Sequence, residues 1–507
     1  MSPRTPRTRT PRTRTPRTRT RTTPCPRRRT TLTLLTLTAA ALALIPPPAA
    51  SALPTGAAGA GEHCARPASA SPAPLPVPLP ALTLRVPGAA HQQVDCLDEL
   101  TTAGTVASGH TQPTDWAGLT PAGLATPTGV PGIQIDGYFP DSSATNTHHG
   151  WNHDSQFVIR LPDRWNGGLV VSGSPGNRAQ YANDRAIADW VLAKGYAFAA
   201  TDKGNTGLSF FRDGRGPGDA VAEWNTRLTQ LTRAARAVVA QRYHRPPSRT
   251  LATGMSNGGY LVRWQLENHP ELYDGGVDWE GTLWRAEGPN PLTFLPPALR
   301  HYPVYAAGGP GAGEAAAAMH AAGYPSGSEF LWEYHHRVYW DLTQRIYREE
   351  FDPGYDGATE AGTPYCAAGT GAPACDADYD YAARAPAAGP AVQRVALTGR
   401  IGRPLITLHG TLDVLLPIGQ DSDVYARMVR EAGRGGLHRY YRIEDGTHTD
   451  ALVDVFPDRL RPLLPCHRSA FTALERWLTD GRRPPASHTV VRPGEATADH
   501  LLTRCRL

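Results

Sequence analysis

Apolar residues along this chain fall into short runs separated by longer amphipathic stretches, and the two kinds of segment alternate. Ile133 to Phe139, Gln156 to Leu161, Gly168 to Val171 and Ala197 to Thr201 alternate or run apolar over strand lengths. A helical period fills Arg185 to Lys194, and another fills Ala220 to Tyr243 before the strand Thr250 to Thr253 and a helical stretch from about Gly259. The rhythm breaks between about Thr282 and Gly399. There, Gly/Pro runs surround one clear helix, Glu329 to Phe351, opened by the capping box Ser326-Gly-Ser-Glu329. It then resumes with Pro404 to His409, a helix from about Ser422 to Ala432, strand His438 to Ile443 and a helix from about Arg468 to Leu478. Strands separated by helices predict an α/β fold with a mostly parallel sheet, and the interruption reads as an inserted lid.

The first fifty residues follow a different logic. Residues 3–21 repeat a Pro-Arg-Thr pattern, and Arg27, Arg28 and Arg29 lead into an apolar run from Leu32 to Ile45 that is too short to span a bilayer comfortably. With Pro46 to Pro48 and the small-residue site Ala50-Ser51-Ala52 behind it, this predicts a signal peptide cleaved after Ala52. The Arg28-Arg29 pair is similar to a twin-arginine signal, with Thr31 where a hydrophobic residue is usual. The expected organisation is therefore signal 1–52, an Ala/Pro/Gly-rich mature N-terminus 53–90, a first core part 91–281, the lid 282–399 and a second core part 400–507.

At 507 residues, core size is not limiting, and Gly 51 and Pro 48 predict long loops. The formal charge is +5, but residues 1–29 hold 11 Arg and no acid, leaving the rest at −6. That balance argues against a nucleic-acid partner, and no membrane association is expected once the signal is gone. Cys25 would leave with the signal, and an even set of six cysteines in an exported chain predicts disulfides. Cys366 and Cys375 flank a Gly/Pro-rich stretch, Cys466 and Cys505 bracket the C-terminal segment, and Cys64 with Cys96 follows by elimination.

Candidate chemistry begins at Gly254-Met255-Ser256-Asn257-Gly258, between a strand and a helix. A serine nucleophile needs a tight strand-to-helix turn that pushes its hydroxyl outward, and only small flanking residues let the chain pass so close. A neutral serine also needs a base and an orienting carboxylate, expected after later strands in the order Ser, acid, His. Asp413 follows strand Pro404 to His409, and His448 follows strand His438 to Ile443. Asp413 could instead cap a helix, and Asp278 or Glu280, after the strand that succeeds the nucleophile helix, could supply the acid. His148, His149, His153, His335 and His336 read as loop or surface residues. An oxyanion needs two N–H donors. Asn257 supplies one, and Ser174 or Gly173 in Ser172-Gly173-Ser174-Pro175-Gly176 the other.

Taken with Thr201-Asp202-Lys203-Gly204, Gly254 to Gly259, His409 to Asp413, His448-Thr449-Asp450 and Cys96 to Gly104, the chain resembles secreted 3-hydroxybutyrate oligomer hydrolases, with tannases and feruloyl esterases as cousins. The resemblance runs from about Cys96 to Pro493 and is sparse between the motifs. It implies an α/β-hydrolase fold and a secreted serine esterase with Ser256 as nucleophile, Asp413 as acid and His448 as base, and it does not extend to the lid. Tannases and feruloyl esterases typically carry a disulfide-joined cysteine pair before the serine and after the histidine, where Met255 and Thr449 stand here. With that pair absent, the reading ranks short 3-hydroxyalkanoate oligomers above galloyl and feruloyl esters. An amidase or peptidase would use the same residues, and a binding protein could keep the fold without catalysis. No cofactor is expected. Asp376, Asp378 and Asp380 could offer oxygen ligands to a structural calcium, but Tyr381 stands where a calcium loop of the EF-hand kind needs glycine, and a solvated acidic turn is the expectation. The expected partner is a small or oligomeric ester, and the sequence leaves the oligomeric state open.

Overall fold

The alternating runs assemble into a ten-stranded sheet in a computed structural model that describes residues 84–140, 155–355, 377, 379–494 and 498–507. The strands are β1 (His91–Leu97), β2 (Gly132–Phe139), β3 (Ser155–Pro162), β4 (Gly168–Gly173) and β5 (Ala197–Thr201), then β6 (Arg249–Met255), β7 (Gly275–Trp279), β8 (Leu405–Gly410), β9 (His438–Ile443) and β10 (His488–Val490). Their order is β1-β2-β3-β5-β4-β6-β7-β8-β9-β10. The pairings from β1 through β3 to β5 are antiparallel, and every pairing from β5 through β4 to β10 is parallel. This is the mostly parallel, helix-flanked sheet of an α/β-hydrolase.

Period-two alternation sorts the two faces. Leu169, Val171, Ala197, Ala199 and Ala252 pack against Trp224, Leu228 and Leu231 of helix Asp219–Tyr243 and Tyr260 and Leu261 of helix Asn257–Asn268. Their neighbours Val170, Phe198, Ala200, Leu251 and Val277 face the other way, against Ile187, Val191 and helix Leu464–Asp480 through Phe471 and Leu474. Each large side chain so buried stabilises the fold by about 1.5–3 kcal/mol, so a one-residue register slip would expose a whole face. On the second face, Cys466 is joined to Cys505, whose Cα lies 4.8 Å away, as expected. Cys96 is disulfide-bonded on β1. Its expected partner Cys64, and both Cys366 and Cys375, lie outside the described residues.

Several elements depart from expectation. The stretch Arg185 to Lys194 is a π-helical turn, Asp184–Ala188, followed by a short α-helix, Asp189–Ala193. The wider turn accommodates a buried ion pair of Asp184 with Arg160 at 2.6 Å, beside Asn183, whose Nδ2 donates to Ser172 Oγ and the Gly173 carbonyl. Between β7 and β8 the chain makes a helical excursion richer than the one helix read from the sequence. It comprises Pro291–Ala307, Ala312–Ala321, Glu329–His335, Asp341–Phe351 and Tyr381–Gln393, with a π-turn at His336–Trp340 dividing the expected Glu329 to Phe351 helix. The expected capping box at Ser326 does not form. Gly327 turns with φ of +87°, helix Glu329–His335 starts behind Ser328, and the Ser328 hydroxyl donates to the Pro325 carbonyl at 2.6 Å instead. Of the expected acidic turn, Asp376 and Asp378 lie outside the described residues, and Asp380 caps helix Tyr381–Gln393 by accepting from the Ala382 N–H at 2.9 Å. Among the described residues no helix is long and apolar enough to cross a membrane.

Candidate active site

The carboxyl ends of β6, β8 and β9 bring the predicted residues to one place. Ser256 alone makes the turn from β6 into helix Asn257–Asn268, with φ 54° and ψ −123°, a conformation costly for any residue with a side chain. The glycines around it are required by close approach. A Cβ on Gly254 would lie 2.6 Å from the Gly258 carbonyl carbon, and one on Gly258 would lie 2.4 Å from the Gly173 carbonyl oxygen. The Ser256 N–H donates to the Trp279 carbonyl at 2.9 Å, tying the turn to β7.

His448 Nε2 lies 3.1 Å from Ser256 Oγ, and its Nδ1 lies 2.8 Å from Asp413 Oδ2. The loops carrying them touch, since a Cβ on Gly410 would lie 2.3 Å from the Gly446 carbonyl carbon and Leu412 N–H donates to the Gly446 carbonyl at 2.8 Å. Asp413 does cap locally, its Oδ1 accepting the N–H groups of Leu415 and Leu416, while Oδ2 faces His448 and, at 3.2 Å, His409 Nε2. Burial would push this carboxyl up, but the facing His448 and the His409 hydrogen bond outweigh it and hold it well below the usual carboxylate range.

The alternative acids stand differently. Asp278 is turned away, 2.6 Å from Arg263 Nε, within a buried network in which Arg263 also reaches Asp421 and Ser422, and Ser422 reaches His409 Nδ1. Glu280 is fully buried, with Oε2 3.8 Å from His448 Nδ1.

The residues expected to supply oxyanion donors divide. Asn257 is the first residue of its helix, where the amide has no intrahelical acceptor, and its side chain braces the site by donating to the Gly176 carbonyl and the Tyr347 hydroxyl at 3.0 and 2.7 Å. Ser174 departs from expectation. Its N–H donates to the Thr201 carbonyl at 3.1 Å, continuing the β4–β5 ladder, and its hydroxyl donates to the Arg178 carbonyl and contacts Lys203 Nζ. Ser174 is thus a pin of the loop, with its amide already committed.

Three further residues meet the site. Lys203, in the Thr201 to Gly204 motif, is fully buried, with Nζ 5.1 Å from the Trp224 ring centre, and burial lowers its pKa to about 7. Tyr347, in helix Asp341–Phe351, accepts from Asn257 Nδ2 through its hydroxyl. His335, expected at the surface, is buried, its Nδ1–H donating to the Leu331 carbonyl at 3.0 Å, and burial lowers its pKa to about 4 in the field of Asp413 and His448. The motif itself marked Lys203. Nothing in the local pattern marked the other two, because their partners are distant in sequence. His148, His149 and His153 lie outside the described residues.

Comparison with known proteins agrees with the motifs. Residues 143–278, which contain Ser256, match the family model described as tannase and feruloyl esterase. Residues 364–507, which contain Asp413 and His448, match the model described as 3HB-oligomer hydrolase. No curated protein matches at the level of sequence. Among solved structures the chain is similar to feruloyl esterase B from Aspergillus oryzae (14% identity, 78% of this chain and 88% of that one, TM-score 0.49). It is also similar to tannin acyl hydrolase from Aspergillus niger (12% identity, 78% and 83%, TM-score 0.44). The resemblance read from the motifs is borne out over both matched segments.

Proposed function

We propose that this chain, matched by the tannase and feruloyl esterase model over one segment and by the 3HB-oligomer hydrolase model over another, is a serine esterase working through an acyl-enzyme on Ser256. The observation that carries the reading is the unbroken line of contacts from Ser256 Oγ through His448 to Asp413. His448 Nε2 takes the serine proton as Oγ attacks the ester carbonyl, then gives it to the leaving alcohol. Asp413, held ionised, fixes the ring so that Nδ1 carries the other proton and stabilises the imidazolium. Water then enters with the same base and releases the acid. The Asn257 amide is one donor to the tetrahedral oxyanion, at the positive end of its helix. These steps draw on side chains and backbone amides alone.

For substrate, short 3-hydroxyalkanoate oligomers rank first, because Met255 and Thr449 replace the cysteine pair typical of tannases and feruloyl esterases. The helical excursion between β7 and β8 would act as the lid, with Tyr347 joining it to Asn257. The N-terminal pattern supports export with cleavage after Ala52. A panel of 3-hydroxybutyrate dimers and trimers beside methyl gallate and methyl ferulate tests the ranking. Faster cleavage of the hydroxybutyrates is expected, and a large preference for either aromatic ester would overturn it. Purified Ser256→Ala should lose esterase activity by about 10³-fold or more, whereas a variant keeping a tenth of wild-type turnover would remove Ser256 from the mechanism.

A further inference from the structure

The reaction outlined above leaves one buried carboxyl beside the imidazole without a task. Glu280 follows β7 with φ of +51°, a left-handed conformation uncommon for a residue with a Cβ. Its N–H donates to the Leu408 carbonyl at 2.9 Å, clamping this turn to the strand that carries the Asp413 loop. The side chain is fully buried. Oε1 accepts the Gly410 N–H at 2.8 Å, and Oε2 accepts the Trp279 indole N–H at 3.2 Å while lying 3.8 Å from His448 Nδ1. That same nitrogen is the one bonded to Asp413, so two carboxyl groups flank a single ring nitrogen.

Two carboxylates in one dry space cannot both ionise without large cost, and the donors on the page decide which does. Asp413 faces the amides of Leu415 and Leu416 and the rings of His448 and His409. Among the described residues Glu280 receives only Gly410 and Trp279. Besides Asp413, His448 and His409, the other titratable group acting on it is Asp450, itself buried and occupied with the Leu463 and Leu464 amides. Burial first and the charge of Asp413 second push the Glu280 carboxyl well above the usual range, and the Gly410 N–H only partly offsets them. These donors favour the charge on Asp413 over a charge on Glu280.

We propose that Glu280 is a second acid of this site, a positioning residue that stays protonated while Asp413 is ionised and becomes the carboxylate partner of His448 Nδ1 when the charge at position 413 is removed. This rests on the esterase reading above. In the changeover Glu280 releases its proton to solvent and its carboxylate accepts the Nδ1–H already on His448, so the ring keeps its tautomer.

The test measures kcat/KM for p-nitrophenyl butyrate against pH in wild type, Asp413→Ala, Glu280→Gln and the double variant. Losing a sole orienting carboxylate costs about 10⁴-fold, so with Glu280 in reserve Asp413→Ala should lose only about 10²-fold. It should also gain an ionisation on which activity rises with pH, because removing the Asp413 charge lets Glu280 titrate. Adding Glu280→Gln should cost about a further 10²-fold and abolish that ionisation, which lost packing alone would not do. A double variant matching Asp413→Ala in rate and pH profile overturns the proposal. If Asp413→Ala does not fold, the same comparison is made in Asp413→Asn, which keeps an oxygen for the Leu415 and Leu416 amides. An inactive wild type, or an active Ser256→Ala, would instead strike the esterase reading itself.

Discussion

In the proposed reaction the nucleophile, its base and their acid are three residues, but neighbouring side chains set their geometry. Asn257 links them to the helical excursion, its Nδ2 shared between the Gly176 carbonyl and the Tyr347 hydroxyl and its Oδ1 accepting from the Thr282 hydroxyl. Tyr347→Phe removes one acceptor from a buried donor, a loss of about 1–3 kcal/mol. The expected outcome is a lower thermal midpoint together with a fall in kcat of roughly tenfold, since the Asn257 amide sits on the same residue. A kcat equal to wild type would show that the tie does not steady the oxyanion donor. Ser256, Asp413 and His448 were all legible in the sequence, because a tight turn and two loops after strands leave local signatures. Glu280 was legible only as an alternative acid after its strand, and His335 as a neighbour of His448 was not legible, since its placement depends on the packing of segments more than a hundred residues apart.

At the scale of elements, the central strands could be read closely from their apolar runs, β5 and β9 to the residue. β1 was missed because His91-Gln92-Gln93 lacks an apolar alternation, and β10 because three residues carry no period. Helix Pro291–Ala307 was hidden by Pro296, Pro297 and Pro303, each of which argues against a helix interior. It forms nonetheless because Asn290 caps it and Phe294, Leu295, Ala298 and Leu299 bury its inner face. The turn at Ser256 depends on glycine in a way that can be checked. Gly258→Ala would drive a methyl to 2.4 Å from the Gly173 carbonyl, so the elbow must shift, and activity should fall by about 10²-fold or more. Retention of full activity would mean that the elbow tolerates a wider turn. Removing the Cys466–Cys505 bridge, which spans 39 residues, by paired Ala substitutions should lower stability by about 2–4 kcal/mol in denaturant titration.

Across the whole molecule, the sheet positions the site at one edge while its interior holds neutral histidines whose cost depends on pH. His438 and His467 are buried, and burial lowers both to about 3. Their folded pKa values lie below the unfolded value of about 6.5, so the unfolded chain binds more protons between those limits. Stability from these groups is therefore complete above about pH 6.5 and is lost as pH falls toward 3. His467→Gln can keep the bond to Thr253 Oγ1, 2.7 Å from Nε2 in the wild type, without the titration. Its thermal midpoint should fall less than that of wild type between neutral pH and about pH 4.5, and an unchanged slope would mean that His467 does not contribute to acid sensitivity. The central claim, that ester cleavage passes through a covalent bond to Ser256, is most directly tested by reacting the folded enzyme with a fluorophosphonate and mapping the adduct by peptide mass spectrometry. One adduct per chain, on the peptide containing Ser256 and lost in Ser256→Ala, is the predicted result. An enzyme that hydrolyses esters yet carries no adduct on that peptide would contradict the account.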